Sequence, residues 1–94
     1  MIEHVKLALR IPSDTLTFDP ELELLINDCL DELQNLGIIR NRIEIEDDPQ
    51  ITNTVIFYCK WKFGENDKAD LWERNYHDKV TRLMYTTGYG LQED

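Results

Sequence analysis

The residues able to carry chemistry are few, and their spacing gives them little to do. His77 lies four residues after Glu73 and beside Asp78, so on a helix it pairs with a carboxylate as an ordinary surface ion pair. His4 has no comparable neighbour pattern. A hydrolase needs a nucleophile beside a base, or carboxylates whose environments separate their pKa values. The acidic residues here fall at solvent spacing on helix faces, with no apolar run around them to raise a pKa. The two cysteines, Cys29 and Cys59, and the two histidines lack the spacing of zinc ligands. The four glycines form no phosphate-cradling loop. Lys60-Trp61-Lys62 has the composition of a base-stacking site. Adjacent residues on a helix point apart, however, so the three share no surface and Trp61 is expected to pack or to form an interface. The expectation is a protein without a catalytic site, a metal or a cofactor.

Charge narrows the partners. Lys plus Arg number 10 against 19 Asp plus Glu, a net charge of -9 over 94 residues. Sequence-reading nucleic-acid binders need cations to displace phosphate counterions, and anionic membranes repel such a chain. No apolar run approaches the ~20 residues of a membrane span, and Met1–Lys6 does not read as a signal peptide. The cysteines each fall within an apolar helical pattern and are expected as free buried thiols, a disulfide requiring that their helices pack side by side. The length suggests one domain, 1–94, with a single modest core.

Four helices are expected, near 2–10, 19–36, 49–63 and 67–85, in an all-α domain with no sheet. The third is the centre. Asp48 reads as its N-cap, Pro49 suits the first turn and Gly64 the stop. Ile51, Val55 and Tyr58 cover one side, Ile56 and Phe63 a second, Phe57 and Trp61 a third, and only Asn53 and Lys60 form a polar line. A helix apolar nearly all round must be surrounded.

Around it, Ile2, Val5 and Leu9 mark a short first helix that Pro12 is expected to end. Asp19 reads as the N-cap of the second helix and Pro20 as its first residue. Leu22, Leu25, Ile26, Cys29, Leu30, Leu33 and Leu36 form its stripe, and Gly37 its stop. Its other face holds Asp28, Asp31, Glu32 and Gln34, with Leu24 among them. No basic residue occurs between Arg10 and Arg40, so that face is acidic and uncompensated; it suits a solvated surface as well as a functional one. In the long connection 37–48, Arg42-Ile43-Glu44-Ile45-Glu46 alternates like a strand. It is either a loop anchored by its isoleucines or a segment that pairs with its copy in another subunit. The fourth helix sets Ala69, Trp72, Tyr76, Val80, Leu83 and Met84 on one face, with Leu71 off it. Residues 1–85 are expected as the folded core and the glycine-bearing 86–94 as a mobile tail.

The order of these elements carries a resemblance: Asp19-Pro20-Glu21-Leu22 opening a helix that closes at Leu36-Gly37-Ile38, an acidic loop to Asp48-Pro49-Gln50-Ile51, the aromatic run Phe57 to Gly64, then Ala69 to Tyr76 running into Leu83-Met84. Over roughly residues 2 to 85 the chain resembles the head–tail connector proteins of tailed bacteriophages, the DNA-packaging or head-completion adaptors. The resemblance implies a structural subunit of a homo-oligomeric ring with portal-like symmetry, a dodecamer being one option, bound beneath the portal protein and above a downstream head-completion or tail protein. DNA would pass through its channel without specific contact. It implies the head–tail junction of the virion as location, after the host cytoplasm, and no cofactor or membrane. Candidate subunit or portal contacts are Leu7, Leu24, Ile43, Ile45, Trp61, Leu71 and Tyr89. Candidate acidic channel or solvent residues are Asp28, Asp31, Glu32, Glu44, Glu46 and Asp47. The competing expectation is a small acidic helical regulator, or a DNA-mimic inhibitor, acting by protein–protein binding.

Overall fold

The computed structural model describes residues 1–40, 47–64 and 67–85, which form four helices and, among the described residues, no strand. They are α1 (Ile2–Ala8), α2 (Asp19–Asn35), α3 (Pro49–Lys62) and α4 (Ala69–Met84). α3 packs against each of the other three, and α1 also packs against α2. The alternating segment 42–46 and the tail 86–94 lie outside the described residues.

Asp48 caps α3 as the sequence indicates, its carboxylate accepting from Gln50 N at 2.8 Å and Ile51 N at 3.3 Å. Ile51, Val55 and Cys59 are fully buried and Tyr58 nearly so. Thr52 and Thr54 are buried with them, and Thr54 Oγ1 donates back to the Gln50 carbonyl at 2.8 Å. Ile56, Phe57 and Trp61 are only half-buried. The helix is therefore surrounded on three sides, not all round. Gly64 does adopt a left-handed φ of 66°, but α3 has already unwound at Phe63, which is extended and places its ring edge-on to Phe18 at 5.5 Å. α3 and α4 run antiparallel: Lys79, late in α4, donates to Gln50 at the start of α3, while Phe57 stacks on Trp72 at 6.0 Å.

Two local expectations are corrected. α1 ends at Ala8, four residues before Pro12, because Arg10 takes the left-handed conformation (φ 63°). Ile11 N–H then donates to the Lys6 carbonyl at 2.8 Å and Arg10 N–H to that of Leu7 at 3.1 Å, the paired bonds of a Schellman ending. α2 closes in the same way, with Gly37 at φ 80° and Ile38 N–H donating to the Leu33 carbonyl at 2.9 Å. Glycine is the usual occupant of that position; an arginine gives no sequence signal for it.

The second correction concerns Asp19, which caps nothing. Its carboxylate is claimed by Lys6, whose Nζ sits 2.9 Å from Asp19 Oδ1 and donates to the carbonyls of Ser13 at 3.1 Å and Thr15 at 2.7 Å. Lys6 is only 4% exposed, so the ammonium spends its donors on protein oxygens. Asp19 Oδ1 is buried and makes no well-aligned hydrogen bond, so the ammonium's charge is what compensates it. This cluster ties the 9–18 connection between α1 and the start of α2.

Behind α3 lies the chemistry that the sequence advertised. Cys29 and Cys59 are free and buried, as expected. Burial pushes the Cys29 thiol well above its ordinary value, partly offset by the Tyr76 hydroxyl, and pushes Cys59 from 9.0 up to about 12. Burial also raises Tyr76, with Cys29 and Glu32 adding to the shift, and the hydroxyl donates to Glu32 Oε1 at 3.1 Å. Both thiols stay protonated near neutral pH and have no nucleophilic role there.

Replacing Lys6 with Met should strand the Asp19 carboxylate and cost about 3 kcal/mol or more, read as a lower urea midpoint by circular dichroism. Adding Asp19→Asn should recover part of that loss, since no charge is then left unpaired. A second expectation follows from the thiols. The folded chain keeps Cys59 neutral up to about pH 12, while the unfolded chain ionises it near 9.0. The stabilisation is fully present below pH 9 and is lost as pH rises towards 12. The urea midpoint should therefore fall progressively above pH 9, with a shallower slope in Cys59→Ala.

Candidate subunit interface

α3 has α2 on one side, α1 and α4 on two others, and an open fourth side. Asn53 lies exposed along that open side, and a groove runs on each flank of it. The α1/α3 groove, about 370 Å³, is lined by His4, Leu7, Ala8, Asp47, Pro49, Thr52, Asn53 and Ile56. It is mainly apolar, because α1 is too short to cover Ile56 and leaves Leu7 77% exposed. The α3/α4 groove, about 280 Å³, is lined by Asn53, Phe57, Asn75, Asp78, Lys79 and Arg82 and is the more polar.

The residues singled out from the sequence fall into separate places. Leu7 opens onto the α1/α3 groove, and Asp47 shares that groove with it rather than joining the acids of α2. Leu71, 41% exposed, lies on the same side of α4 as Asn75, Asp78 and Arg82, at helical spacings of four, seven and eleven residues. Leu24, 62% exposed, lies opposite the buried stripe of α2, with Asp28 and Asp31 beside it. Glu32 is exposed at the edge of that face, one oxygen held by Tyr76. Ile43, Ile45, Glu44, Glu46 and Tyr89 lie outside the described residues.

Trp61 is half-buried in an aromatic cluster, its ring 5.7 Å from Tyr58, 5.9 Å from Tyr76 and 5.6 Å from His77. The flanking lysines are not scattered as adjacency on a helix suggests. Lys62 Nζ folds back over the Trp61 ring at 4.3 Å, and Lys60 Nζ sits over Trp72 at 4.4 Å. The Lys-Trp-Lys triplet is a set of cation–π contacts that fastens the end of α3 to itself and to α4. His77 meets Glu73 at 3.8 Å, the surface pair expected from the spacing.

The structure adds exposed apolar residues that the pattern did not single out: Leu16 and Phe18 in the connection before α2, and Tyr85 after α4. Neither site has periodicity to judge against, so no sequence signal separates them from packed anchors. Among the described residues no three or more His, Cys, Asp or Glu side chains are grouped to hold a metal, and no helix is long and apolar enough to cross a membrane. The arrangement offers surfaces for protein contacts: a groove beside Leu7, a second groove carrying cations, and an acidic face around Leu24.

No curated protein and no solved structure matches the chain. A protein family does, and over nearly the whole length: residues 1–90 match the family described as phage connector protein. The match takes in all four helices, and the chain belongs to the phage connector protein family.

Proposed function

We propose that the chain is a structural subunit of a ring beneath the portal, extending the DNA channel and completing the packaged head at the head–tail junction. Membership in the connector family carries this reading and supports a structural role in phage assembly. The surface is compatible with it in two respects. Exposed leucines on three different helices, Leu7 on α1, Leu24 on α2 and Leu71 on α4, leave apolar surface for neighbours to cover. The net charge of -9 gives phosphate no field to bind, so DNA can slide past. The partners in this proposal are other copies of the chain, the portal protein, and a head-completion or tail protein on the far side. DNA is in passage only.

The acidic face of α2, a helix with no Lys or Arg of its own, is the one observation that favours the other reading, an acidic regulator imitating DNA. The two differ in what each carboxylate must do. In a channel or in solvent, Asp28, Asp31 and Asp47 supply only bulk repulsion. On a mimic each would meet a particular cation, and truncating one of a desolvated pair costs ~2–5 kcal/mol. Single Asp→Asn variants at these positions should therefore leave binding to portal-bearing heads within about twofold of the parent, since rim charges contribute little. Failure of the parent to bind such heads, with strong single-site losses against a DNA-binding protein, would overturn the connector role.

A further inference from the structure

Residues 1–15 are tied to one another more closely than to the rest of the chain. Lys6 Nζ donates to the carbonyls of Ser13 at 3.1 Å and Thr15 at 2.7 Å, so the connection after α1 is folded back and stitched to the helix it follows. Ile11 N–H, donating to the Lys6 carbonyl at 2.8 Å, closes the same loop from the backbone. Attachments to the other helices are few. Val5 is fully buried, while Met1, Ile2, Leu9 and Ile11 pack only in part against the core. Lys6 meets Asp19, the first residue of α2, at 2.9 Å. From Pro12 to Thr17 no residue is buried. A turn then leads into α2, Asp19 N–H donating to the Leu16 carbonyl at 3.1 Å. The Leu16 side chain is exposed there, and Phe18 rests on Phe63.

We propose that residues 1–15 are an arm that opens from the α2–α4 body as one unit, hinged at Leu16–Phe18, with Lys6–Asp19 as its catch. A helix of seven residues is unstable by itself, so α1 depends on its docking along its whole length. The Lys6 ties make the connection leave with the helix rather than the chain fraying from Met1. Asp19 is already 31% exposed, and separating the pair returns both charges to water. The catch therefore resists opening less than stranding one charge in place would. What remains to hold the arm is Val5 and its partly buried neighbours, against a body that buries Leu22, Leu33, Ile51, Val55 and Tyr76 completely. Few buried apolar contacts put a segment at the low end of local stability. His4, Leu7 and Ala8 of the arm face Thr52 and Ile56 of α3 across the α1/α3 groove, and Thr52 is buried beside them. Opening bares that side of α3. The device is independent of the connector reading.

The test is native-state hydrogen exchange on the full chain, read residue by residue by NMR. The amides of Val5, Leu9 and Ile11 each donate to a backbone carbonyl within the arm or its first residue. Where exchange reports the opening equilibrium, they should share one protection factor, roughly tenfold or more below that of the slowest amides in α2–α4. Protection rising stepwise from Val5 to Ile11 is fraying and overturns the single unit. Val80→Ala loosens the body's core and should lower the slowest body amides by roughly tenfold. It should leave the arm amides unchanged, because the opened state keeps Val80 packed. Arm amides that fall in step with the body exchange through global unfolding, which overturns the arm. Asp19→Asn removes the charge from the catch and should lower the protection of all the arm amides by about tenfold; no change overturns the catch. The native thiols are buried, so a Thr52→Cys variant reports on its own site. Its reaction with a maleimide should quicken by that same factor when Asp19→Asn is added. An equal rate with and without Asp19→Asn overturns the covering of α3 by the arm.

Discussion

The structure depends on covering one helix with three. α3 is apolar on most of its circumference, yet the chain supplies only α1, α2 and α4 to bury it. α2 and α4 are long enough to do so and carry continuous stripes: Leu22, Ile26, Cys29, Leu30 and Leu33 on one, Tyr76, Val80 and Leu83 on the other. α1 spans seven residues and contributes Val5 fully and Ile2 in part. Ile56 and Phe57 are left half-buried on either side of Asn53, and the two grooves are the direct result. A fifth helix would remove them.

Because α1 is so short, something other than apolar area must hold it, and Lys6 does so. A buried ammonium is costly unless every donor and its charge are matched. Here two carbonyls and the Asp19 carboxylate provide the match, and in doing so they fix the connection that reverses the chain from α1 into α2. The left-handed Arg10 serves the same reversal. Both devices stand where apolar periodicity is silent, which is why the reading from sequence sets the end of α1 by Pro12 and spends Asp19 on a cap. A lysine among apolar positions carries no mark of burial, since most lysines are exposed. Its partners become visible only after the chain has turned.

What was legible follows from strong, local signals. The Asp48-Pro49 start of α3, the Gly37 end of α2 and the two long stripes each depend on a few neighbouring residues, and each is present in the structure. The exposure of Leu7, Leu24 and Leu71 was legible for the same reason, because a helical period states which residues leave the core face. The grooves were not legible. They arise from the relation of α3 to α1 and to α4, and from a shortfall in α1's length rather than from any motif. The cation–π contacts of Lys60 and Lys62 were missed through treating side chains as rigid vectors. A lysine stem reaches back across a ring one residue away, and it does so here at 4.3 Å.

The distribution of charge then separates two tasks that a single acidic balance conceals. Lys60, Lys62, Lys68, Arg74, Lys79 and Arg82 gather between the end of α3 and the end of α4, whereas α2 has carboxylates and no cation. A uniformly negative bundle would repel its own copies as firmly as it repels DNA. This one is polar, and with a net charge of -9 it still presents negative charge to phosphate. Glu44, Glu46, Asp47 and Asp48 form the densest acidic run in the sequence, and Asp48 is held by its cap. The connection between α2 and α3, least defined by pattern, is thereby the segment on which the channel reading places its heaviest demand.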